Sequence, residues 1–192
     1  LMMVALGLLL TLNRQAIVLG FIGAAIAISY PLFKRFTHLP QLFLGIAFSW
    51  GIPMAFAAQT GRVPALAWWL LCANLLWTVA YDTMYAMADR PDDLKIGVKS
   101  TAILFGRYDL LANAVLQALA LAVLGIVGWK LHLSSWYYLG LFGAAVTAGY
   151  QYRLCRGRDR GMCLKAFINN TWFGACRSEE RRVGKEGRSR WS

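Results

Sequence analysis

The stretch ALAWWLLCANLLWTVAYDTMYAMADRPDDLKIGVKSTAILFG, Ala65–Gly106, decides how the chain is read. Its first part, Ala65–Ala80, is an apolar block whose only amide side chain is Asn74. Its second part puts four aspartates, Asp82, Asp89, Asp92 and Asp93, into the next few helical turns' worth of chain. An Asp at the centre of a bilayer helix costs roughly 2.5–3.5 kcal/mol. Such a cluster therefore belongs at the edge of an apolar layer, facing a polar pocket.

The same alternation of apolar blocks and charged segments repeats along the 192 residues, of which 58% are hydrophobic and 15% charged. The other blocks are Leu1–Leu12, Ala16–Phe33, Leu42–Ala58, Leu110–Trp129, Ser135–Tyr150 and Ala166–Cys176. A helix needs about 20 apolar residues to cross a bilayer, and interfacial flanks let a shorter core suffice. The five middle blocks meet or approach that length; the first and last are short. No period-two alternation supports a barrel. The expected fold is all-α, a polytopic transmembrane helical bundle.

Charge supports this map. If each block crosses once, the segments Phe33–Gln41, Thr83–Asp109 and Gln151–Lys165 share a side. They carry Lys34, Arg35, Arg90, Lys95, Lys99, Arg107, Arg153, Arg156, Arg158, Arg160 and Lys165, whereas the opposite side has Arg14, Arg62 and Lys130. This bias marks the first set as cytoplasmic loops, and it explains the net charge of +11 without a nucleic-acid partner. The run Arg153–Arg160 reads as part of that signal and as a contact for anionic lipid headgroups. The four cysteines form no C-x-x-C pair and read as reduced core or interface thiols. Asn74, Asn169 and Asn170 read as amides bridging helices. His38 reads as a solvated loop residue.

The tail Arg177–Ser192, RSEERRVGKEGRSRWS, breaks the pattern. The chain is accordingly divided into a membrane portion, 1–176, and a hydrophilic tail, 177–192, read as foreign to it. Leu1 opens inside an apolar run, which raises the expectation of a preceding portion.

Before the tail every carboxylate is an aspartate. Asp89 and Asp93 are four apart, so a helix would place them on one face. Carboxylate oxygens are hard ligands suited to Mg²⁺, which takes one or two protein carboxylates and fills its remaining positions with water and substrate phosphates. Arg90, Lys95 and Lys99 supply cations for the same oxygens. A metal–diphosphate site accounts for this layout; so, on spacing alone, does a structural charge network. Asp82 and Asp109 read as structural, Asp109 at a helix start.

Tyr81–Gly106 resembles the second aspartate-rich motif of the UbiA prenyltransferases, in the form of the 4-hydroxybenzoate branch: YD, YAM, DR-x-DD, IG-x-KSTA and FG. Tyr30–Gly45, YPLFKRFTHLPQLFLG, resembles that branch's YP-x-x-KR-x-T-x-x-PQ-x-x-LG segment. Gly51–Ala58, GIPMAFAA, continues it, and Lys165–Asn170, KAFINN, is a weaker third match. The resemblance spans roughly Leu1 to Gly174. It implies a bundle of nine helices, about six to seven of them present here, around a cavity that opens to lipid. It also implies an enzyme of the bacterial inner membrane whose site faces the cytoplasm. There Mg²⁺ and a polyprenyl diphosphate would meet 4-hydroxybenzoate on the way to ubiquinone. It implies metal and catalytic roles for Asp89 and Asp93, a metal role for Asp92, and substrate contacts for Lys34, Arg35, Arg90, Lys95, Lys99 and Tyr81. Trp50, Trp77, Tyr81 and Tyr85 are candidates for an aromatic wall that shields an allylic cation.

The chain departs from the family in three ways. The first aspartate-rich motif has no counterpart, so the chain by itself is expected to be inactive. The last helix is expected to be cut. Pro91 stands in the motif, and because proline is tolerated in a first turn but not in a helix interior, a helix here is expected to begin at Pro91. Three rival classes remain at this point: a family member with another aromatic acceptor, a CDP-alcohol phosphotransferase and a membrane transporter. YPLFKRFTHLPQ speaks against the first, the lack of a compact glycine-containing aspartate motif against the second, and aspartates placed beside lysines rather than at mid-membrane against the third.

Overall fold

The computed structural model describes residues 2–37, 39–97 and 99–178, with the side chains of 31, 32, 34–36 and 173–178 left aside. The described residues form helices joined by short turns, with no strand among them. The helices are α1 (Met2–Leu10), α2 (Arg14–Phe36), α3 (Pro40–Ser49), α4 (Gly51–Thr60), α5 (Ala65–Ile96), α6 (Thr101–Phe105), α7 (Asp109–Lys130), α8 (Ser135–Cys155) and α9 (Arg160–Ser178). A 3₁₀ turn, Gly106–Tyr108, links α6 to α7. Helix α5 is the hub and packs against α3, α4, α6, α7 and α9.

Polar side chains stitch the bundle from within. Asn74 donates to the Ser49 hydroxyl at 3.0 Å, Trp77 to Asn170 at 3.2 Å, and Gln117 to Gln151 at 2.9 Å. Gln151 reaches Asn169 at 3.5 Å, and Asn113 reaches the Ala80 carbonyl. The expected bridging amides are thus where their residue type suggested. In an apolar surrounding each bond satisfies a group that would otherwise be costly to bury. At the opposite end from the aspartates, Asn13 accepts from the Ala16 N–H and donates to the Ala57 carbonyl at 2.6 Å, tying the start of α2 to the end of α4. The close contact of α3 with α5 requires Gly45, where an added Cβ would lie 2.6 Å from Leu75 Cδ1.

Four expectations need correction. The segment Thr83–Asp109 is not one loop: α5 continues through it to Ile96, and only Gly97–Ser100 separates α5 from α6. Pro91 does not begin a helix but lies inside α5. The loss of its N–H is confined to the final turns, and the helix then closes on Gly97, whose φ of 71° is the left-handed conformation open to glycine. The block Leu42–Ala58 is broken at Trp50, because Pro53 has no N–H for the Ser49 carbonyl. The last helix begins at Arg160 rather than Ala166 and runs for 19 residues. Among the described residues, Pro40–Thr60 and Thr101–Lys130 are the most apolar runs of crossing length, Arg14–Tyr30 is a shorter apolar run, and α5 and α8 reach that length with more polar side chains. Indole, phenol and amide groups dilute α5 and α8. Nearly all of the hydrophilic tail, and His38, lie outside the described residues.

A core of Met84, Ala86, Met87, Ala88, Ala102, Cys155, Cys163 and Ala166 sits at the aspartate end. Cys155 and Cys163 are free thiols buried in it, and Cys72 is an exposed free thiol on α5.

Candidate functional site

The prolongation of α5 turns a cluster of aspartates into an ordered stripe. Asp82, Asp89 and Asp93 are seven and four residues apart, which returns them to one helical face. All three line a cleft of about 100 Å³ with Tyr30, Pro40, Gln41, Tyr85, Ala86, Lys99 and Ser100. The far wall comes from the turn after α5, and the near rim from the end of α2 and the start of α3. The two sequence segments singled out above therefore meet here. Gln41 is the joint: its side-chain oxygen accepts from the Thr101 N–H at 3.2 Å, across 60 positions of sequence.

The other charges of the segment go elsewhere. Asp92 does not line the cleft; it accepts from Arg160 at 2.8 Å and from Lys95 at 3.4 Å. These two partners, Arg160 foremost, hold its carboxyl below the usual carboxylate range. Arg160 also lies 3.7 Å from Asp89, so α9 backs the stripe from outside. Lys95 is exposed and engaged with Asp92. Arg90 turns to Asp109 at 3.3 Å and to the Gly106 carbonyl. Asp109 is fully buried and also receives Arg158 through two nitrogens, Nη2 at 2.8 Å and Nε at 3.1 Å. That carboxylate raises the Arg158 pKa further above its ordinary value. Of the expected cations, Lys99 lines the cleft; Lys34 and Arg35 lie in the last turn of α2, and their side chains are outside the described residues.

An aromatic row flanks the stripe. Trp77, Tyr81 and Tyr85 follow at four-residue steps on α5. Trp77 meets Tyr81 edge-on at 5.3 Å, and Phe167 of α9 packs on Tyr81 at 5.9 Å and on Tyr85 at 5.2 Å. Tyr85 also lines the cleft beside Asp89 and so belongs to both row and cleft. Trp50 is not part of this wall; its indole donates to the Leu19 carbonyl at 2.9 Å.

Among the described residues no three His, Cys, Asp or Glu side chains converge closely enough to cage a metal by themselves. Carboxylates strung along one face suit a hard cation that is completed by phosphate oxygens, and the donor set fits Mg²⁺ in that sense. Sequence reasoning missed Asp82, Tyr30, Gln41 and Ser100 as cleft residues. The i, i+7 spacing of Asp82 to Asp89 was the available signal for the first; the others depend on contacts between distant segments.

Comparison with known proteins follows the same line. The UbiA prenyltransferase family profile matches residues 1–174. A 4-hydroxybenzoate octaprenyltransferase of Xanthomonas euvesicatoria is 55% identical over 174 residues, covering 91% of this chain and 58% of that protein. One of Shewanella woodyi is 55% identical over 172 residues, covering 90% and 60%. The chain thus spans well under two thirds of the length of these curated relatives. Among solved structures, the apo form of a UbiA homolog from Aeropyrum pernix K1 superposes with a TM-score of 0.73 at 25% identity, over 89% of this chain and 66% of that one. A digeranylgeranylglyceryl phosphate synthase superposes with a TM-score of 0.75 at 19% identity, over 93% and 64%, a likeness of fold.

Proposed function

From the premise that this chain belongs to the UbiA prenyltransferase family and is an integral membrane protein, we propose that it serves the transfer of a polyprenyl group from its diphosphate to the ring of 4-hydroxybenzoate, a step of ubiquinone biosynthesis. The observation that carries the proposal is the stripe Asp82, Asp89 and Asp93 opposite Lys99 in one cleft, in a chain 55% identical to proteins named for that reaction.

In this reading the donor's diphosphate lies in the cleft, where Asp89 and Asp93, with Asp82 beside them, are the carboxylates that would hold Mg²⁺. When bound, the metal would supply charge neutralisation for the diphosphate leaving group. Lys99 adds a fixed cation, whose attraction grows as the C–O bond of the donor breaks and negative charge gathers on the leaving oxygen. The remaining allylic cation needs protection from water until the ring carbon ortho to the hydroxyl attacks, after which that carbon loses its proton. Trp77, Tyr81, Tyr85 and Phe167 supply ring faces that attract a cation and an apolar surface that excludes water. Asp92 and Arg160 act on the outside, bracing α5 against α9. The eleven basic residues gathered at the aspartate end support an inner-membrane orientation with the cleft toward the cytoplasm.

The test incubates membranes carrying the gene's full-length product with 4-hydroxybenzoate and a polyprenyl diphosphate, with and without Mg²⁺, beside Asp89→Ala. Mg²⁺-dependent prenylated product that disappears in the variant is the expected outcome. Absence of product with this acceptor removes the acceptor assignment, and product that survives Asp89→Ala removes the site.

A further inference from the structure

Ser100 stands at the start of α6, where a serine ordinarily turns its hydroxyl back onto the first free N–H groups of the helix. Here it does not: the side chain makes no capping bond, and the Thr101 N–H is taken instead by Gln41 at 3.2 Å. Ser100 is only 2% exposed, and its Oγ is the one buried side-chain polar atom among the described residues without a hydrogen-bond partner. Buried polar groups are almost always paired, so an unpaired one calls for a cause. The cause lies in its position, since Ser100 lines the same cleft as Asp82, Asp89, Asp93 and Lys99.

We propose that the Ser100 hydroxyl is a ligand of the donor's diphosphate, donating a hydrogen bond to a phosphate oxygen beside the Lys99 ammonium. The proposal rests on the diphosphate reading of the cleft given above and adds a specific donor to it. A hydroxyl donor to an anionic oxygen makes a charge-assisted bond, stronger than a neutral one and directional in a way that a flexible ammonium is not. Gln41 is then a positioning residue. By occupying the Thr101 N–H, it fixes the turn that carries Lys99 and Ser100 and leaves the serine hydroxyl uncommitted. Chemically, the pair Lys99–Ser100 would recognise phosphoryl oxygens rather than the isoprenoid, so its effect should fall on donor binding and not on the aromatic acceptor.

The probe is inorganic pyrophosphate with Mg²⁺, titrated calorimetrically into the full-length protein in detergent micelles, for wild type, Ser100→Ala and Asp89→Ala. The melting temperature of each ligand-free protein is recorded alongside. Ser100→Ala is expected to weaken pyrophosphate about tenfold, the effect typical of removing a hydrogen bond to a charged group. Its ligand-free melting temperature should be unchanged or higher, because the variant buries a methyl where an unsatisfied hydroxyl stood. Wild-type affinity in Ser100→Ala overturns the proposal, and if Asp89→Ala still loses binding, the diphosphate reading survives it. A lowered melting temperature together with weaker binding marks the hydroxyl as structural and also overturns the proposal. Wild-type protein that binds no pyrophosphate, or Asp89→Ala that binds it normally, overturns the proposal and the reading beneath it.

Discussion

Replacing Arg158 by alanine should destabilise the protein more than replacing the aspartate it serves. Asp109 is 1% exposed in its side chain, whereas its partners Arg158 and Arg90 are 42% and 32% exposed. Arg158→Ala removes both guanidinium contacts of that group and leaves the carboxylate with Arg90 at 3.3 Å and the Leu110 N–H at 2.6 Å. Breaking a fully buried pair by deleting one partner costs about 3–5 kcal/mol, because a charge is left without compensation. Since one cation remains and Arg158 is partly solvated, the expected loss is about 2 kcal/mol. For a chain of this size that corresponds to a melting shift of roughly 4–8 °C. Asp109→Asn instead keeps an oxygen for the Leu110 N–H and leaves two cations that water can reach, so its cost should be about 1 kcal/mol. The assay is unfolding of both variants in the same detergent at neutral pH. If Asp109→Asn is the more damaging, or Arg158→Ala shifts the melt by less than about 2 °C, the idea that a desolvated carboxylate governs this junction is wrong.

Three further outcomes are expected. In the prenyl-transfer assay, Asp93→Asn should lower turnover by about 10²-fold, the scale of losing a group that stabilises a charged transition state, while Asp92→Asn stays within about threefold of wild type. Arg160→Ala should move the titration of Asp92, followed by NMR, upward toward its ordinary value near 3.8. Because the folded pKa of Asp92 is depressed, its contribution to stability is present above that value and lost as pH falls through the folded one, so the gap between wild type and variant should close at acid pH. Gly45→Val should lower the melting temperature, since even the first added carbon meets Leu75 at 2.6 Å and Val79 at 3.3 Å, and overpacking costs about 1–3 kcal/mol.

Much of this was legible in the sequence, for reasons that also mark where legibility ends. The apolar blocks and one-sided basic residues gave the helices and the end at which the aspartates gather, because burial and charge act on composition alone. The D-x-x-x-D spacing gave a shared face because helical periodicity is local. Hydropathy, however, falls at Asp82 although the helix does not stop there; Met, Ala and Tyr sustain α5 until Gly97. In the same way α9 opens with a polar turn at Arg160 that no apolar count could register. The partners of Arg90 and Asp92 were out of reach for another reason. Both cations and anions abound in this segment, and which ones meet is set by packing between residues 19 and 68 positions apart.

The uninterrupted course of α5 makes it a measuring rod. Thirty-two residues of helix extend ~48 Å, against about 30 Å of hydrocarbon, so one end of the rod must stand among headgroups and water. Trp77 and Asp89 are separated on it by ~18 Å of nearly incompressible backbone. An amphiphile that settles along this surface has the axial offset between its greasy and ionic parts dictated in advance.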